Sequence, residues 1–113
     1  MTSTISLTDF QKLDIRVGKI IKVENHPNAN KLYILQVDFG SELGVKKIVA
    51  GLKQYLKKED LENKKATFIV NLTPIIIRGV ESQGMCLVAG NESSGIFSLL
   101  SPDNKIEEGT RVS

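Results

Sequence analysis

The stretch KQYLKKEDLENKK, Lys53–Lys65, holds no glycine or proline and spaces Tyr55, Leu56 and Leu61 as one face of a short helix. Its neighbours on both sides follow the two-residue period of strands. Before it, KKIVAGL (Lys46–Leu52) is a short strand; after it, ATFIVNL places Ala66, Phe68, Val70 and Leu72 on one side. Further upstream, DIRVGKIIKVE sets Ile15, Val17, Ile21 and Val23 on one face, with Lys19 interrupting the row and Asp14, Arg16 and Lys22 opposite. LYILQVDF sets Tyr33, Leu35, Val37 and Phe39 against Leu32, Ile34, Gln36 and Asp38. Downstream, GMCLVAG aligns Met85, Leu87 and Ala89, and IFSLL offers a sixth strand. A second short helix opens the chain, with Thr8 as cap to DFQKL. One helix inserted between the third and fourth of five strands is the element order of the OB-fold, a partly open Greek-key barrel. The expected class is therefore all-β.

The segment NLTPIIIRGVESQGM, Asn71–Met85, interrupts this regularity. Pro74 cannot donate a ladder hydrogen bond, and Gly79 and Gly84 weaken a strand, so the segment reads as strand, loop, strand. Ile75, Ile76 and Ile77 then form an apolar loop that needs a neighbour or a partner to cover it.

A chain of 113 residues fits one domain, 1–113. Its net charge of +2 is too mild to coat nucleic acid by bulk charge. The distribution says more. Lys12–Lys31 carries a local +3, Lys46–Lys65 carries seven lysines against three acids, and the residues after Arg78 carry −3. Such asymmetry suits a molecule with one basic surface. The lone Cys86 excludes an internal disulfide, the start MTSTISLTDF lacks the features of a secretory signal, and no apolar run approaches membrane-spanning length, so a cytoplasmic protein is expected.

Enzymatic constellations are missing. With one histidine, His26, and one cysteine, no four-ligand zinc site assembles, and neither Ser82 nor Cys86 sits in a nucleophile elbow. GVESQG lacks the Lys-Ser/Thr of a phosphate loop, so no cofactor is implied. His26, before Pro27, reads as a loop residue. ENHPNANK (Glu24–Lys31) joins the first two strands and TPIIIRGVESQ (Thr73–Gln83) joins the last two. In an OB-fold these two loops flank the face where oligonucleotides bind. Arg16 and Lys19 read equally as phosphate contacts or as solvated strand decoration. Tyr33 is the one aromatic near that face, so a folded RNA read by shape and phosphates suits the composition better than stacked bases.

DFQKLDIRVGKI, HPNANKLYILQVDFG, IVAGL, NLTPIIIRGVESQGM and GTRV resemble, from about Asp9 to the end, the motifs of the tRNA-binding domain family. Its members include stand-alone tRNA-binding proteins, the C-terminal domain or beta subunit of methionyl-tRNA synthetases, and a small secretion chaperone. The resemblance implies a non-catalytic OB-fold homodimer whose partner is tRNA, with methionyl-tRNA synthetase as a further partner. It places phosphate contacts on Arg16, Lys31 and Arg78, hydrogen bonds on Asn28, Asn71 and Ser82, and Met85 packed beneath the site. Thr73 and Ile76 stand where many tRNA-binding members carry lysine, and Asn30 stands for the usual aspartate, which implies weaker tRNA affinity. The chaperone relatives imply a rival, peptide-binding reading of the isoleucines.

Overall fold

The computed structural model describes residues 3–113, so the first two residues of the expected 1–113 domain lie outside it. Helix α1 spans Leu7–Gln11 and is capped by Ser6, whose hydroxyl accepts from the Asp9 N–H at 3.0 Å; the expected cap, Thr8, lies inside the helix. Strands β1 (Ile15–Asn25), β2 (Tyr33–Asp38) and β3 (Val45–Ala50) follow, with a one-turn helix α2 (Gly40–Leu43) between the last two. Helix α3 (Lys58–Leu61) leads into β4 (Lys65–Ile69). A hairpin of β5 (Ile75–Ile77) and β6 (Val80–Ser82) precedes β7 (Met85–Cys86). A second hairpin, β8 (Val88–Asn91) and β9 (Ile96–Leu99), precedes β10 (Arg111–Val112).

The main sheet runs β3-β2-β1-β4-β7, all neighbours antiparallel, with β10 beside β1. It curls so that β3 meets the end of β6 and Gln83 after it. The Gln83 N–H donates to the Lys47 carbonyl at 2.8 Å, the Lys47 N–H donates to Gln83 Oε1 at 2.8 Å, and the Val49 N–H donates to Ser82 Oγ at 3.0 Å. Side chains thus replace backbone acceptors along this seam, which nearly closes the barrel. This is the expected OB-fold.

Four local expectations need correction. The register of β1 against β2 shifts between Ile20 and Lys22, as an extra residue at a bulge does. The bulge falls where β1 leaves β4 for β2, and it turns Ile20 fully into the core while Ile21, expected inside, is 42% exposed. The helix expected over Lys53–Lys65 is one turn long. Tyr55 and Leu56 lie in a turn on the Leu52 carbonyl, and the helix starts only after Lys57, whose N–H is taken by the Asp60 carboxylate. The strand expected over GMCLVAG breaks at Leu87, whose N–H donates to the Thr67 carbonyl. The triple isoleucine is a strand, not a loop: β5 and β6 pair through a two-residue turn, Arg78–Gly79, with φ of 53° and 86°. Positive φ at both central residues is the signature of a type I′ hairpin, and Pro74 stands just outside it, where its missing N–H costs no ladder bond.

The barrel interior is filled from alternate strand positions. Val37, Leu35, Ile48, Phe39 and Phe68 are buried, the two phenylalanine rings meeting edge to face at 5.4 Å. Leu61, fully buried in the core, anchors α3 to the barrel. Tyr55 stacks on Phe97 at 3.9 Å and so holds the β8–β9 hairpin to the α3 connection.

Candidate nucleic-acid interface

The β1–β2 loop and the β5–β6 turn meet in space, although some 50 residues separate them. Asn28 Nδ2 donates to the Arg78 carbonyl at 3.2 Å, and His26 Nε2 lies 2.9 Å from the Ile77 carbonyl. The Asn28 N–H donates to His26 Nδ1 at 3.0 Å. Lys31 ends the same loop and is exposed, as is Arg78 at the hairpin tip. Asn28, Lys31 and Arg78, three of the residues singled out in the sequence, are therefore brought to one rim.

The other four are placed differently. Ser82 is buried, and its hydroxyl both accepts from the Val49 N–H and donates to the Gly84 carbonyl at 3.0 Å, so its one proton and one of its two acceptor sites are taken by the barrel seam. Arg16 forks onto Asp14, Nε to Oδ1 at 2.6 Å and Nη2 to Oδ2 at 3.2 Å, and donates through Nη1 to the Gly109 carbonyl. The Arg16 hydrogen bond holds the Asp14 carboxyl below its ordinary value, and Asp14 in turn raises the guanidinium. Asn71 accepts from the Asp14 N–H at 2.8 Å and donates to the Lys12 carbonyl at 2.7 Å, clamping the end of β4 to the entry of β1. Met85, expected beneath the site, is 47% exposed, because its partner in β4 is the end residue Ile69 and the strand runs out to the surface there. Tyr33, the expected stacking ring, is buried with its hydroxyl donating to the Leu56 carbonyl at 2.8 Å; burial raises its pKa and removes its face from any base.

Strand registers bring together cations that lie far apart in the sequence. Lys22 pairs with Gln36 and Gln36 with Lys47, so the three form one outward row across β1, β2 and β3. Lys22 is partly offset by Glu24 at 3.9 Å. A groove of about 250 Å3, lined by Lys47, Gly79, Val80, Glu81 and Gln83, connects this row to the hairpin tip. The signal was present in the alternation of β2, which put Gln36 outward, but Lys47 could be placed beside it only once the β2–β3 register was known. Among the described residues no ion pair takes in Lys31, Lys47 or Arg78. Lys47 lines the groove beside the hairpin tip that carries Arg78, and Lys31 ends the loop that holds the Arg78 carbonyl; cations so placed are suited to phosphate oxygens.

Other chemistry finds little support in the geometry. Burial pushes the Cys86 thiol up to about 12, which keeps it protonated and a poor nucleophile. Among the described residues no three His, Cys, Asp or Glu side chains gather as a metal site requires, and no helix is long and apolar enough to cross a membrane.

Residues 15–111 match the family model of the tRNA binding domain. The chain belongs to the tRNA-binding domain family. Over 108 residues it is 51% identical to the methionine–tRNA ligase of Pyrococcus horikoshii, covering 96% of this chain and 14% of the ligase. It thus spans a small part of the length of the curated relatives it matches. Among solved structures, the MetRS related protein from Pyrococcus horikoshii superposes with a TM-score of 0.89 at 36% identity, covering 99% of this chain and all of that one. The CsaA chaperone protein from Picrophilus torridus superposes with a TM-score of 0.87 at 36% identity, covering 97% and 100%. This tRNA-binding domain therefore has relatives of both kinds that the sequence motifs suggested.

Proposed function

We propose that this chain binds the outside of folded tRNA through phosphate contacts and does no chemistry of its own. The carrying observation is that Lys31 and Arg78, on a loop and a hairpin tip joined by the Asn28 amide, and Lys47, on the groove beside that tip, enter no ion pair among the described residues, in a chain of the tRNA-binding domain family. Arg78 and Lys31 contact phosphate and Asn28 orients the rim. Arg16, Asn71 and Ser82 serve the interface indirectly, by fixing the strands that carry it. The protein works in the cytoplasm, as one domain, beside a methionyl-tRNA synthetase whose catalytic unit aminoacylates the tRNA. It does so as a homodimer. Helix α1 buries no residue, Leu7 and Phe10 on it and Ile5 just before it are exposed, and an apolar groove of about 640 Å3 lined by Ile15, Leu100 and Val112 lies open, which is surface for a second copy to cover.

A second reading, an extended apolar peptide as ligand, is favoured by one observation: the exposed Met85 lines a small pocket of about 210 Å3 together with Val49, Leu52, Val88 and Phe97. Equilibrium binding of deacylated tRNA and of an unfolded polypeptide, at low and raised salt, separates the two. The tRNA reading expects tRNA to bind with a steep salt dependence, and Arg78→Ala to weaken it and lower the logarithmic salt slope by about 0.7. Binding of the polypeptide with no binding of tRNA at low salt would sink it.

A further inference from the structure

We propose that His26 is a positioning residue for RNA recognition, a latch that holds the β5–β6 tip and with it Arg78. The inference rests on the tRNA reading above. His26 and Ser82 are the two polar side chains classed as buried among the described residues, and both tie this hairpin to the barrel. Ser82 secures its base through β3. His26, 4% exposed, secures its tip.

The hydrogen-bond directions are fixed by elimination. The Asn28 backbone N–H can only donate, so His26 Nδ1 accepts and carries no proton. The neutral ring then carries its proton on Nε2, which donates to the Ile77 carbonyl at 2.9 Å. With Asn28 Nδ2 on the Arg78 carbonyl, two consecutive carbonyls of the hairpin are captured from one loop. The hairpin needs such external support. It has three residues per strand in a two-stranded sheet of its own, and Ile75 and Ile76 are mostly exposed, so little burial holds it. Arg78 moreover adopts φ of 53°, a conformation disfavoured for a side chain with a Cβ, which persists where surroundings impose it. Both captures use main-chain carbonyls. The guanidinium is left available for a ligand phosphate, at a defined place.

Substitutions can separate holding the tip from holding the loop. In His26→Asn the short amide oxygen can still accept from the Asn28 N–H but its nitrogen does not reach Ile77; in His26→Gln the longer amide nitrogen reaches the Ile77 carbonyl. Binding of unfractionated deacylated tRNA is measured for wild type, both variants, Arg78→Ala and the His26→Asn/Arg78→Ala pair, together with amide hydrogen exchange over 75–82. The latch predicts that His26→Asn weakens binding roughly fivefold, the loss of one net hydrogen bond, that His26→Gln restores most of it, and that the pair binds no worse than Arg78→Ala alone. Exchange over 75–82 should quicken in His26→Asn while β1, β2 and β4 stay protected. Unchanged exchange in the hairpin overturns the latch, as does quicker exchange with unchanged affinity, or a full fivefold loss added on top of Arg78→Ala. A wild-type chain that binds no tRNA overturns the functional reading instead, and His26's role in binding with it. The exchange measurement tells the two failures apart, because it reads the hairpin without RNA.

Discussion

Ser82→Ala removes a hydroxyl that completes the barrel seam. In the native chain this oxygen accepts from the Val49 N–H and donates to the Gly84 carbonyl, both at 3.0 Å. Val49 lies in β3, an end strand of the sheet, and its N–H faces away from β2, so no ladder partner replaces the lost acceptor. Each orphaned group costs about 1–3 kcal/mol when buried. Both bonds are only part-buried, which keeps the expected total near about 2 kcal/mol. That is a large share of the roughly 5–15 kcal/mol that stabilises a domain. Urea unfolding followed by circular dichroism should show a lower midpoint with an unchanged slope, and thermal unfolding a decrease on the order of 10 °C. tRNA affinity, measured well below the melting temperature, should fall by no more than about fivefold, because Ser82 holds the base of the hairpin and touches no ligand itself. A loss of stability under about 0.5 kcal/mol, or a large loss of affinity at unaltered stability, would refute the reasoning and return Ser82 to the role of ligand contact.

Three further outcomes are expected. Gly18→Ala places a Cβ 2.5 Å from Val37 Cγ1 and 2.6 Å from Phe39 Cε1, both buried side chains, so overpacking should cost about 1–3 kcal/mol, read as a lower urea midpoint. Asp14 has a folded-state pKa below its ordinary 3.8, chiefly through the Arg16 hydrogen bond, so its stabilisation is full above that value and fades as acid titrates it toward the lower one; Asp14→Asn should flatten this acid limb of a stability–pH profile while lowering stability at neutral pH. Ile76→Lys restores a cation on the outer face of the hairpin, opposite Glu81, and should steepen the logarithmic salt slope of tRNA binding by up to about 0.7, whereas an unaltered slope would remove this hairpin from the RNA interface.

Strand alternation, turn residues and the order of elements are local properties, carried by side chains one to four positions apart. They were sufficient to place five barrel strands, the inserted helix and the family motifs, and to direct attention to the loops after the first and before the last strand. The sequence also showed where basic charge concentrates. The roles of single polar residues depended on partners far along the chain. Asn71 reaches back to Lys12 and Asp14, Arg16 forward to Gly109, Ser82 to Val49 and His26 to Ile77, and no period or spacing relates such pairs. A bulge shifts inward and outward positions by one, so the exchange of Ile20 for Ile21 in the core followed from which strands β1 must pair with, not from its own pattern. Tertiary structure therefore decided which polar groups are tied to the barrel and which cations, Lys31, Lys47 and Arg78, enter no ion pair among the described residues. The physical reason is that hydrogen-bond capacity is consumed by whatever the fold brings near.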